Sequence, residues 1–244
     1  MAAAELQRLR DRDRRTEFKR ILLIGESGTG KTQFIGTMPK PFIADFDRGL
    51  TTIAGHETAV SKDFSGEGGW DDFMKEVQAW RKDGPQYDCE TFALDSLTCA
   101  ADACMTSIMA AKGSAGAQPG IAEWGAAIRK VKDLMGYLTT LRCHVIVNAH
   151  LEITKDEVLG GMVYQPMIFG KELPGKLPIY FDEVWVSDVQ VTTKGGEPET
   201  TYRMQVMPDQ RIRIVKSRLA DSGTFKKYVA PDFATIINTP RKGE

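Results

Sequence analysis

What this sequence lacks narrows it first. No apolar run approaches the roughly 18 residues that a membrane-spanning helix needs, and the N-terminal stretch has no hydrophobic core of a secretory leader. The expectation is a cytoplasmic protein with no membrane partner. Cysteine is scarce: Cys89, Cys99, Cys104 and Cys143 form no C-x-x-C pair and no Cys/His ligand spacing. That argues against a structural zinc and for reduced thiols in or near the core. An excess of one charge is missing too. Lys and Arg number 32 against 33 Asp and Glu, for a net charge of −1. No whole-molecule field draws the chain to nucleic acid or anionic lipid, so any such contact is local. Internal repeats and low-complexity tracts are absent.

What is present is an ordinary globular composition, 42% hydrophobic and 27% charged over 244 residues, which suits one domain with a sizeable core. Four apolar residues, Ile21, Leu22, Leu23 and Ile24, run directly into Gly25, Glu26, Ser27, Gly28, Thr29, Gly30, Lys31 and Thr32. This is a complete G-x-x-x-x-G-K-T phosphate loop between a buried strand and a helix, the context the motif requires. The glycines let the backbone bend around a polyphosphate, and successive N–H groups face its oxygens. Lys31 is placed to reach the β- and γ-phosphates, and the Thr32 hydroxyl to ligate Mg²⁺.

Downstream, the helix from Lys31 must stop near Pro39 and Pro41. Residues 41–44 form a second buried strand that ends at Asp45, Phe46 and Asp47. Trp70, Phe73, Val77 and Trp80 recur at helical steps and predict a core-facing stripe. Residues 91–94 make a third strand ending in Asp95 and Ser96. An acid there is the expected Mg²⁺-associated aspartate or a helix N-cap, and the two roles are compatible. A helix over 97–112 and a glycine-rich loop over 113–120 precede a long amphipathic helix carrying Ile121, Trp124, Ile128, Val131, Met135, Leu138 and Leu141. A fourth strand over 143–149 delivers Asn148 and His150 at its end. Strands alternating with helices predict an α/β fold with a parallel sheet and its ligand at the strands' carboxyl ends. Residues 151–178 read as a long loop, and the strands around Lys194, Gly195 and Gly196 as an antiparallel hairpin.

In this order the motifs resemble the RecA-like ATPase core, in particular phage-encoded nucleotide-binding proteins regarded as small RecA-type recombinases that assist single-strand annealing. The resemblance spans residues 20–220. It implies a polar arm or helix at 1–19 and a RecA-like P-loop NTPase domain at 20–244. In that domain helices flank a mostly parallel central sheet, extended by C-terminal antiparallel strands with a hairpin near 180–210. The arm is either a solvated helix or a docking segment. ATP and Mg²⁺ are the implied cofactors. Asp47 takes the place of the family's catalytic glutamate, one methylene shorter, and His150 that of the polar γ-phosphate sensor. Lys216 and Arg218 resemble the paired cations that complete a neighbouring subunit's site, though an edge strand with alternating charges would read the same.

The family's two DNA loops would fall at 112–120 and 151–176, where Lys155, Tyr164, Phe169, Lys171 and Lys176 offer cations and rings. A solvated lid is the alternative. The implied activity is ATP hydrolysis at subunit interfaces of a filament or ring acting on single-stranded DNA in phage-type recombination, in the host cytoplasm if phage-encoded. An annealing or single-strand-binding protein is a possible partner. Two rivals are a helicase or packaging-type translocating motor and a slow nucleotide-gated assembly protein.

Overall fold

The computed structural model describes residues 18–155, 162–219 and 226–238; the arm at 1–19 lies outside them except for its last two residues. Arg20–Gly25 (β1) sits inside the sheet because both of its faces are apolar. Leu22 and Ile24 point to one side and Ile21 and Leu23 to the other, all fully buried. The chain then turns through Gly28 and Gly30, at φ 80° and 85°, into a short helix, Lys31–Gly36 (α1). Only glycine takes this left-handed geometry without steric cost.

Pro41–Asp45 (β2) is followed by Val60–Asp63 (β3), a wholly exposed strand whose Val-Ser-Lys-Asp sequence gives no apolar signal. Gly69–Asp83 (α2), Thr91–Asp95 (β4), Leu97–Ala111 (α3), Ile121–Leu138 (α4) and His144–Lys155 (β5) come next. After them come Met162–Pro166 (β6), a turn of helix at Leu173–Lys176 (α5), Glu183–Lys194 (β7) and Glu197–Gln205 (β8). Lys216–Ser217 (β9), Tyr228–Val229 (β10) and Phe233–Ile237 (α6) complete the described elements.

Among the described residues, six strands run parallel in the order β3-β2-β4-β5-β1-β7. Antiparallel β8 and β10 extend this sheet past β7, while β9 pairs with the base of β7. This is the expected mostly parallel sheet with C-terminal antiparallel strands. Its order places β5 between the phosphate-loop strand and the strand that ends in Asp95. Helices cover both faces: α1 and α6 pack with Trp185 and Met204 on one, α2, α3 and α4 on the other.

The stripe on α2 packs as its period predicts, with Trp70, Phe73, Val77 and Trp80 at most 2% exposed. The Phe73 ring lies 5.1 Å from Phe46, 5.5 Å from Phe64 and 6.3 Å from Phe92. These rings anchor Phe46 between two aspartates and so fix the exit of β2. Truncating such a buried ring typically costs about 3–5 kcal/mol.

Two expectations need correction. The stripe on α4 is buried only from Ala127 onward: Ile121 is 93% exposed, and Trp124 packs edge-on against Phe169 at 5.4 Å. Periodicity gives a helix its face but not which turns are covered. The second correction concerns 151–178. There β5 continues to Lys155 and pairs antiparallel with β6, Ile153 opposite Tyr164, before a helical stretch over 173–180. Leu151 and Ile153 alternate with Glu152 and Thr154, as in a strand, and the pairing satisfies backbone groups that a bare loop would leave to water.

Candidate functional site

The carboxyl ends of β1, β2, β4 and β5 converge on one cleft of about 580 Å³, lined by the phosphate loop, Asp47, Asp95, Cys99 and His150. Lys31 is buried beneath the loop, and its Nζ donates to the carbonyls of Gly25 (2.9 Å) and Glu26 (2.8 Å). Burial pushes the Lys31 ammonium below its usual value, opposed by the charges of Asp95, Asp47 and Glu26. Thr32, in the first turn of α1, donates its hydroxyl to Asp95 Oδ2 at 2.7 Å. Asp95, 2% exposed, accepts from Asn148 Nδ2 at its other oxygen, 3.0 Å away. Burial raises the Asp95 carboxyl above the usual range against the pull of these two hydrogen bonds.

Asp47 stands just beyond β2 because Asp45 bends the chain: Asp45 Oδ1 accepts the N–H groups of Asp47 (3.0 Å) and Arg48 (2.8 Å). This is the local side-chain turn that aspartate favours. Asp47 Oδ2 lies 3.1 Å from His150 Nε2, and its Oδ1 accepts from the Ser96 hydroxyl at 2.8 Å and the Ser96 N–H at 3.2 Å. Burial alone would raise this carboxyl, but hydrogen bonds from His150, Cys99 and Ser96 outweigh it and lower it to about 2. Ser96 serves twice, since its hydroxyl also caps α3 by accepting the Cys99 N–H. The His150 backbone is held by Thr98, whose hydroxyl accepts its N–H at 3.0 Å and donates to Met167 O at 2.9 Å.

On the other side of the loop, β7 presses close. A Cβ on Gly25 would sit 1.9 Å from Ser187 Oγ, and the Thr29 and Ser187 hydroxyls lie 2.7 Å apart. Tyr202, on β8, lines the same cleft beside Gly30.

The oxygens of Thr32 and Asp95 fit Mg²⁺, a hard cation that takes one or two carboxylates, waters and substrate phosphates rather than an all-protein cage. The buried, unpartnered Asn148 Oδ1 beside them is a further acceptor for a water of such an ion. Among the described residues no group of three His, Cys, Asp or Glu could hold a metal alone.

The remaining sequence candidates lie elsewhere. Lys216 pairs with Val184 at the base of β7, and its Nζ donates to Pro178 O at 2.8 Å. Arg218 forms an ion pair with Asp182 at 2.6 Å. Neither lines the cleft of its own chain. Lys155 ends β5; Tyr164, on β6, lines a second groove of about 600 Å³. Phe169 packs on Trp124, Lys171 is exposed, and Lys176 pairs with Glu172. In the other expected DNA loop, Lys112 pairs with Glu123.

Sequence reasoning gave no role to Thr98, Ser187 or Tyr202, and it placed Asn148 in the Asn148-Ala149-His150 sensor without its hydrogen bond to Asp95. Asn148 carried a signal, a polar residue at the end of a buried strand. Tyr202 carried none, because an alternating hairpin strand gives no hint of what lies beneath its tip.

No match is found among curated proteins. Similar solved structures include the flagellar accessory protein FlaH from Methanocaldococcus jannaschii, 9% identical over 86% of this chain and 83% of that one, with a TM-score of 0.39. Another is a prototypical ATPase from the type III secretion system of pathogenic bacteria, 14% identical over 70% of this chain and 52% of that one, with a TM-score of 0.44. With TM-scores below 0.5, neither likeness bears on what this chain does. Among families, the AAA domain matches residues 17–213, from the approach to β1 past the last wall of the cleft. The chain belongs to the AAA domain family, and its phosphate loop is that of a nucleotide-binding ATPase domain.

Proposed function

We propose that this protein hydrolyses ATP with Mg²⁺ in the cleft at the strand ends, that subunits complete one another's sites, and that the assembly engages single-stranded DNA as a small recombinase of the annealing type. The observation that carries the hydrolytic part is the convergence of Lys31, Thr32, Asp95, Asp47 and His150 on one cleft. Backbone amides of residues 26–32 bind the phosphates and Lys31 neutralises β/γ charge. Thr32 and Asp95 would hold Mg²⁺, which supplies further charge neutralisation when bound. Asp47 remains ionised and orients the attacking water, while His150 sits beside it where a γ-phosphate would be sensed. Lys216 and Arg218 would serve the neighbour's nucleotide.

Support for the nucleic-acid part is the β5–β6 ribbon, which grows directly out of the strand holding His150 and bears Lys155 and Tyr164. A slow nucleotide-gated assembly protein is the second reading. It is favoured by Asp47, since a carboxyl near 2 is a weak base for taking a proton from water.

Steady-state ATPase assays with and without single-stranded DNA separate the two readings. Stimulation by DNA, and a loss of about a hundredfold or more in Lys31→Ala, are expected. A rate indifferent to DNA over a wide protein concentration favours the switch, and undiminished hydrolysis by Lys31→Ala defeats the site assignment.

A further inference from the structure

The cleft has two ends, and only one is occupied by the residues assigned above. The strand order β8-β7-β1-β5-β4-β2 puts His150, Asp95 and Asp47 on one side of the phosphate loop and Tyr202 on the other. Along β8, Tyr202 shares a face with Met204, which is buried against Phe34 and Trp185 beneath α1. Tyr202 is the next ring on that face. It emerges past the core at the loop, its Cδ1 3.2 Å and its Cε1 3.8 Å from where a Gly30 Cβ would stand. The ring is 42% exposed and lines the cleft. Opposite it in the β7–β8 register is Val189, and the Gln33 amide reaches toward Gly30 from the first turn of α1.

Polarity along the loop follows from the chemistry. The acids and His150 mark the end where the terminal phosphate reacts, so the α-phosphate and the nucleoside leave toward the opposite side. Gly30 must stay bare for the same reason, since a side chain there would meet the ring as well as a strained φ of 85°. We infer that the face of Tyr202 is the platform on which the nucleotide's base stacks, making β8 a wall of the nucleotide site. This rests on the nucleotide reading above and adds the part of the ligand that the phosphate loop cannot recognise. Stacking is sequence-tolerant because every base has a π-face, and its removal by alanine typically weakens binding roughly 5- to 150-fold.

Calorimetric titration of the full chain with ATP and with inorganic tripolyphosphate, each with Mg²⁺, tests it. Tyr202→Ala is expected to weaken ATP by that factor and to leave tripolyphosphate unchanged, which also shows that the variant is folded. Tyr202→Phe keeps both affinities. Unchanged ATP affinity in Tyr202→Ala, or an equal loss for both ligands, overturns the inference. Wild-type protein that binds neither ligand overturns the nucleotide reading itself.

Discussion

Asp47 spends both carboxylate oxygens on protein partners, and this has a measurable cost in acid. Its folded value, about 2, lies below the ordinary 3.8, so its network stabilises the fold fully above the ordinary value and loses that contribution as the pH falls toward the folded one. The difference corresponds to about 2 kcal/mol. In Asp47→Asn this dependence is absent, so the stability gap between wild type and variant is expected to narrow by about 2 kcal/mol from about pH 5 to about pH 2, read by denaturant melts across that range. A gap that stays constant would mean that the hydrogen bonds to His150 and Ser96 do not hold the carboxylate. At this scale the sequence was legible where chemistry is contiguous: Lys31 and Thr32 declare themselves within one motif, and Asp47 and Asp95 by ending apolar strands. The partners of those acids were less legible. Asn148 reaches Asp95 across 53 residues of chain, a contact set by strand order.

Strand β7 sets the shape of the phosphate loop from behind. Adding a single methyl at Gly25 drives it into Ser187 Oγ and Thr29 Oγ1, at 1.9 and 2.6 Å. Overpacking of this kind typically costs about 1–3 kcal/mol. Gly25→Ala is therefore expected to destabilise by that amount in thermal or denaturant melts and to weaken ATP binding. Combination with Ser187→Gly should recover part of the stability, because the two changes share one space. No recovery would place the strain in the loop backbone instead. Elements buried on both faces, such as β1, β2 and β4, were legible as apolar runs. The exposed β3 and the β5–β6 ribbon were not, since their pairing depends on neighbours and their sequences mix polar and apolar residues.

For the whole molecule, Lys216 and Arg218 stand apart from their own phosphate loop, paired to the lower part of β7 and its approach. If a second copy supplies the receiving site, mixing a Lys216→Ala/Arg218→Ala protein with Lys31→Ala protein should restore ATPase at the interfaces that combine an intact loop with intact cations. Rescue is expected to be a fraction of the wild-type rate, and its absence in a mixture shown to co-assemble would confine these cations to holding the base of β7. The mostly parallel architecture was legible from alternating strand and helix patterns around one motif. Which surfaces meet another copy was not, because isolated exposed apolar residues such as Ile121 and Ile179 look alike in sequence whether they meet solvent or protein.

One consequence of the fold is mechanical. Strand β5 belongs to two ribbons: it lies between β1 and β4 as far as Val147 and stays paired with β1 to His150, and from Leu151 its partner is β6 alone. At about 3.4 Å per residue, the five residues past His150 form an arm about 17 Å long. A rotation of about 10° at its root would carry Lys155 about 3 Å, more than enough to make or break a polar contact. His150 thus sits at the fulcrum of this twelve-residue strand, where a small displacement has its greatest reach.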